Sequence, residues 1–168
     1  MTVAARPPRL VTTASAVVFL IATATILAAL AFEQFGGYAP CPLCLQQRYA
    51  YYFAVPASAL AFVLAQGYAT RFARILLLLV ALAFVANALA GIYHSGIEWN
   101  WWKGPDTCAG ETPIQWGEGG LAQELENAQV IRCDEAPWRF LWLSFAGWSA
   151  AISALLAAAA AWGATKRL

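Results

Sequence analysis

The residues of this chain best suited to covalent chemistry are its four cysteines. They come as a tight pair, Cys41 and Cys44 around Pro42-Leu43, and a wide one, Cys108 and Cys133. A CxxC pair is a poor staple, because closing so short a loop removes little entropy from the unfolded chain. Its usual use is thiol–disulfide exchange, in which the second thiol releases whatever has bonded to the first. Four cysteines permit three pairings, and the spacing favours one bridge within each pair. Two other uses stay open at this stage: structural crosslinks, and a tetrathiolate zinc site with His94, the only histidine, nearby. Thiols in an oxidising compartment tend to be lost to disulfides, so no metal is expected.

Arg48 follows Cys44 by four residues, one helical turn, which can bring a permanent positive charge close to the Cys44 sulfur. Cys44 also lies where an apolar run begins and would feel the positive end of a helix dipole. Both effects favour thiolate over thiol, so Cys44 is the expected acidic thiol. The plain alternative for Arg48 is a side chain snorkelling to headgroups. His94 closes another apolar run and is placed either to orient an oxidant or pass protons, or to serve as an interfacial polar residue. A thiolate at a membrane surface suits an electron acceptor that lives in the membrane. Quinones (ubiquinone or menaquinone) are lipid-soluble two-electron carriers whose carbonyl oxygens an arginine or histidine can hydrogen-bond. The chain has no Rossmann-type glycine motif and no haem attachment motif.

The elements that must hold these residues follow from composition. Of 168 residues, 61% are hydrophobic and 11% charged, against about a quarter charged in a soluble domain. So few charges cannot coat a water-facing surface. The same arithmetic excludes disorder, and a net charge of +1 gives no reason to expect nucleic acid. Four uncharged runs, about 10–32, 49–68, 75–93 and 140–163, can each cross a bilayer, which takes about 20 helical residues. Each has to be helical, because a segment in lipid must satisfy its own backbone polar groups. The expected fold is all-α: an integral membrane four-helix bundle, one domain over 1–168. Pro56 is expected to bend the second helix, and Gly91, Gly147 and the many alanines to permit close helix approach. A cleaved signal ending at Ala29-Leu30-Ala31 competes for the first run, but that run is long for one.

Charge sorting sets the orientation. Arg6, Arg9, Arg71, Arg74, Lys166 and Arg167 fall at the termini and the short middle loop with no acid among them; all nine acids fall with Arg48, Lys103, Arg132 and Arg139 in the other two loops. The positive-inside rule puts both termini in the cytoplasm. Loops 33–48 and 94–139, with every cysteine, then face outward, which in a bacterium is the periplasm, where disulfides persist. Trp99, Trp101, Trp102 and Trp116 suit the headgroup layer. Leu121, Leu125 and Ala128 recur at helical spacing, predicting a short interfacial helix in the second loop, with Gly117, Gly119 and Gly120 as hinges.

The run from Cys41 to Arg48 opening the second span, the second outward cysteine pair, Tyr93-His94, and Cys133-Asp134-Glu135-Ala136-Pro137-Trp138 together resemble the disulfide bond formation protein B (DsbB) family over essentially the whole chain. The resemblance implies a quinone-dependent protein-disulfide oxidoreductase of the bacterial inner membrane that reoxidises a periplasmic DsbA-like thiol oxidase. Carried over position by position, it implies that Cys108 forms the mixed disulfide with the partner and that Cys133 passes the oxidising demand to Cys41. Cys44 would face the quinone, with Arg48 helping to hold it. The run departs from the family pattern in lacking an acidic residue beside Arg48, and the second loop is acidic and glycine-rich, which leaves the partner open. Two alternatives stand beside this reading. One is an enzyme similar to the vitamin K epoxide reductase family, in which the CxxC is expected near the end of a late helix. The other is a non-enzymatic bundle with structural loop disulfides.

Overall fold

The computed structural model describes residues 9–67, 69–105, 133–136 and 138–166. Among them are four helices long and apolar enough to cross a membrane: α1 (Arg9–Gly36), α2 (Pro42–Gln66), α3 (Thr70–Glu98) and α4 (Phe145–Thr165). The first three outrun the uncharged stretches that announce them, because hydropathy marks the part in lipid and not the ends that stand clear of it. At about 1.5 Å per residue, the 29 residues of α3 exceed the roughly 30 Å hydrocarbon thickness, leaving room for polar groups in its last turns. α2 begins at Pro42, well before its uncharged run, since proline in the first turn has no N–H to leave unpaired and its φ is already helical. Arg48 is therefore on a helix. Pro56 lies inside α2, which continues past it to Gln66.

The fourth helix starts later than its uncharged run. Two short strands, β1 (Arg139–Phe140) and β2 (Leu143–Ser144), pair antiparallel with Phe140 opposite Leu143. The turn between them places Leu141 and Trp142 at φ of 50° and 69°, the left-handed pair that a tight hairpin of this twist requires. Ser144 then caps α4, its Oγ accepting from Gly147 N–H at 3.2 Å.

The helices form a ring: α1 on α2, α2 on α3, α3 on α4, α4 back on α1, with little contact across the α1/α3 diagonal. Glu98 at the end of α3 bonds Ser144 at the start of α4, and Gly163 near the end of α4 meets Ala14 near the start of α1. Neighbours are thus antiparallel, with the described chain ends at one end of the bundle and the described cysteines at the other. The interior mixes many alanines with a few large side chains: Ala22, Ala54, Ala61, Ala73 and Ala160 are at most 1% exposed, as are Phe84, Leu77 and Leu156, while Leu20, Leu27, Val63, Leu82 and Leu155 are all more than half exposed. Alanines between the helices and large apolar groups on the outer face suit a bundle whose solvent is lipid, where association depends on close packing. A Cβ at Gly91 would stand 2.9 Å from that of Ala150, so this glycine lets α3 and α4 touch. Gly147 meets chiefly Leu143 of the hairpin leading into its own helix. Tyr51 and Asn87 both hydrogen-bond Ser153 Oγ, at 3.3 and 2.9 Å, tying α2, α3 and α4 together in an otherwise apolar core.

Residues 106–132, which include Cys108, Trp116 and the expected interfacial helix around Leu121, Leu125 and Ala128, lie outside the described residues.

Candidate functional site

Cys41 is the N-cap of α2, with extended backbone at φ −71° and ψ 164°. Its Sγ accepts from Cys44 N–H at 3.3 Å, taking the place that a serine or aspartate oxygen usually fills. The sequence alone pointed to Cys44 as the sulfur served by the helix N-terminus; the structure puts Cys41 there. The difference comes from the early start of α2 at Pro42, which aims the first-turn amides at residue 41 and leaves Cys44 inside the helix.

The two thiols are free, with sulfurs 3.1 Å apart, well beyond the roughly 2.05 Å of a disulfide bond. A hydrogen from either thiol can bridge them. Donation by Cys44 is the arrangement the backbone also favours, since Cys44 N–H already points at the Cys41 sulfur. That hydrogen bond is the chief reason the Cys41 pKa falls from its ordinary 9.0 to about 4; His94 adds to it, and burial opposes it.

His94 is 2% exposed, with Nε2 3.6 Å from Cys41 Sγ and Nδ1 3.1 Å from Gln47 Nε2. It also bonds the backbone of Cys133. Glu98, one turn later on α3, turns inward as well: Oε1 lies 4.0 Å from His94 Nε2, and Oε2 accepts the Ser144 hydroxyl. Sequence reasoning did not single out Glu98, although its i,i+4 spacing from the one histidine was a usable signal.

Cys133, 1% exposed, packs against Cys41, with Leu43 and Cys44 alongside. It is in a disulfide, and because Cys41 and Cys44 are free, its mate lies outside the described residues. The donor atoms of Cys41, Cys44 and His94 lie within 4.8 Å of one another; Cys133, in its disulfide, is not among them.

On the other side of the CxxC lies a cavity of about 440 Å³, within the range of small-molecule sites. Its walls come from α1, α2, the start of α4 and the segment entering it. Trp138 stacks on Phe145 with ring centroids 5.0 Å apart, and Phe32 meets Phe145 edge-on at 5.2 Å. The polar groups on the wall include Cys44, Gln47, Arg48 and Glu33; Cys41 and His94 are not on it. Arg48 Nη1 is 2.5 Å from Glu33 Oε2, a pairing the sequence did not suggest, though the two residues flank the short α1–α2 connection with opposite charge. His94 stands beside Cys41, and Gln47 touches both His94 and the cavity. The two cysteines therefore have different surroundings: Cys41 sits against Cys133 and His94, while Cys44, packed beside them, also lines an aromatic chamber with a guanidinium and an amide. A flat ring bearing carbonyl oxygens fits that chamber, and Gln47 Oε1, buried with no hydrogen-bond partner, supplies a polar atom still to be matched.

Comparison with known proteins places this geometry in context. Residues 11–163 match the family described as "Disulfide bond formation protein DsbB". A relative from Marinobacter nauticus, "Disulfide bond formation protein B", is 32% identical over 142 residues, 83% of each chain. No solved structure matches.

Proposed function

The chain belongs to the DsbB family of disulfide bond formation proteins, multi-pass membrane disulfide oxidoreductases, and from that premise we propose that it reoxidises a periplasmic DsbA-like dithiol and passes the electrons to a membrane quinone. The observation that carries the quinone half is the split between the two sulfurs, Cys44 on the cavity wall and Cys41 turned toward Cys133. The net reaction balances: dithiol plus quinone gives disulfide plus quinol, with two electrons and two protons conserved.

In this scheme the partner's thiolate attacks Cys108 of the Cys108–Cys133 disulfide and forms the mixed disulfide, releasing Cys133. The Cys133 thiolate attacks Cys41 of an oxidised Cys41–Cys44 pair, against which it is already packed. Cys44 is the leaving sulfur and is left on the cavity wall; the partner's second thiol displaces Cys108 to complete the partner's disulfide, and Cys108 then attacks Cys133, restoring the loop disulfide and releasing Cys41, so that the Cys41/Cys44 pair carries the two electrons. A bound quinone supplies the two-electron acceptor that keeps this exchange running toward oxidation. Arg48 and Gln47 would hold its oxygens, the aromatic wall would flank its ring, and His94 would hold a proton beside Cys41. The basic residues at the termini and middle loop support cytoplasmic termini and a periplasmic cysteine end.

The test is turnover of the full chain in nanodiscs with a reduced thioredoxin-fold dithiol and a short-chain quinone. One quinol should form per dithiol oxidised, and oxidation indifferent to quinone would sink the reading. Arg48→Ala should raise the quinone KM by about 10-fold or more, as expected for losing a charged hydrogen-bond donor, with helical content unchanged. An unaltered KM would count against its placement. Cys133→Ser should trap the partner on Cys108, seen as a mass shift on non-reducing gels; an untrapped partner would undo the order of relay.

A further inference from the structure

Among the described residues, Gln47 lines the cavity and also hydrogen-bonds His94, and the mechanism gives it only a supporting place. Its side chain is 5% exposed. One arm of the amide, Nε2, stands 3.1 Å from His94 Nδ1; the other, Oε1, is buried with nothing to accept from. A primary amide has a donor arm and an acceptor arm of nearly equal shape, and a half-turn exchanges them without disturbing the packing. In the observed arrangement the acceptor arm is unmatched. After the half-turn, Oε1 accepts from His94 Nδ1–H and the two N–H groups are freed instead. A quinone oxygen can only accept and matches the second arrangement, whereas a quinol hydroxyl can donate and matches the first.

We propose that Gln47 is a ligand-binding residue that hydrogen-bonds an oxygen of the quinone in both of its redox forms, exchanging its amide arms between them; this rests on the quinone reading above. The exchange also ties the cavity to His94. With quinone bound, His94 carries a proton on Nδ1 and donates it to Gln47. With quinol bound, Nδ1 is the acceptor and Nε2–H faces the Cys41 sulfur.

The experiment measures binding rather than turnover, using the full chain in nanodiscs, a short-chain ubiquinone analogue and its quinol. Dissociation constants are read from quenching of tryptophan fluorescence, and the quinone carbonyl stretch from infrared difference spectra. Gln47→Leu removes both arms and should weaken both forms about 5- to 10-fold, as for a lost buried hydrogen bond; it should also shift the carbonyl stretch toward its unbonded position. Gln47→Glu at pH 8, ionised beside Arg48, keeps the shape and the acceptor but not the donor. It should weaken quinone by a similar factor while leaving quinol near its wild-type affinity. Wild-type constants in both variants would overturn the proposal, and so would equal weakening of the two forms by Gln47→Glu, which would make the residue merely structural. If Gln47→Leu fails to fold, the Gln47→Glu ratio decides alone. An unaltered protein that binds no quinone sinks the quinone reading and this inference together; one that binds it while Gln47 proves indifferent sinks only this inference.

Discussion

Exchanging Cys44 for serine is expected to lower quinone-dependent dithiol oxidation by about 10³-fold or more, the scale of losing a nucleophile that acts as part of a unit. A serine hydroxyl neither ionises at neutral pH nor forms a disulfide, so the thiol of this cavity-lining residue has no substitute. Exchange between the partner and the Cys133 disulfide should survive, because Cys133 packs on Cys41 and is not part of the cavity wall. Stopped-flow measurement of quinone consumption in a single turnover separates the two. Cys41→Ser should also stop turnover, but it leaves the thiol on the cavity wall in place, so quinone should still perturb that thiol's reactivity. Full quinone reduction by the Cys44→Ser protein would refute the assignment of the two sulfurs.

The second large effect concerns the acidity of Cys41. At pH 5 a thiol titrating at the ordinary 9.0 is about 10⁻⁴ ionised, whereas Cys41 titrating at about 4 is about nine-tenths thiolate. Nucleophilicity falls with acidity along a Brønsted slope of about 0.4–0.5, which takes back about 10² of the about 10⁴ gained. The net expectation is alkylation of Cys41 at pH 5 about 10²-fold faster than that of an unstructured cysteine peptide, before allowance for its burial. Ultraviolet thiolate absorbance of the dithiol form is indifferent to access and should stay level from about pH 8 to pH 6, then fall with a midpoint near 4. The folded pKa is depressed, so the stabilisation from this thiolate is fully present above the unfolded value near 9 and is lost as pH falls toward 4. Only the dithiol form gains it. A stabilised dithiol makes the corresponding disulfide a stronger oxidant, which is what a pair that must oxidise a DsbA-like partner needs. His94→Ala should raise the midpoint and make the pair less oxidising. A midpoint near 9 in the unaltered protein would remove this account of the driving force.

Much of the architecture was legible in the chain. Four long uncharged runs announce four helices because hydrophobicity is a sum over neighbouring residues and lipid leaves a segment no other way to satisfy its backbone. The alanine content pointed to close packing, and the pairing of a CxxC with Arg48 at the opening of a span pointed to thiol chemistry beside a membrane. The same local sums do not mark where the helices end. The start of α2 falls at Pro42 and that of α4 at Phe145, because proline geometry and a hairpin set those points, and neither registers in hydropathy.

What the order of residues determined by itself is the kind of chemistry and its solvent: two cysteine pairs, a membrane bundle, an arginine one turn from a thiol. What only the tertiary structure decided is what surrounds each sulfur. The start of α2 at Pro42 makes Cys41 the cap, and the packing of the helices puts Cys44 on the wall of a chamber. The meeting of helix faces pairs Arg48 with Glu33, sets His94 beside Cys41 and gives Gln47 contact with both histidine and cavity. Those contacts join residues distant along the chain, and their geometry depends on how four helices rotate about their axes, a quantity that no local pattern of residue types encodes.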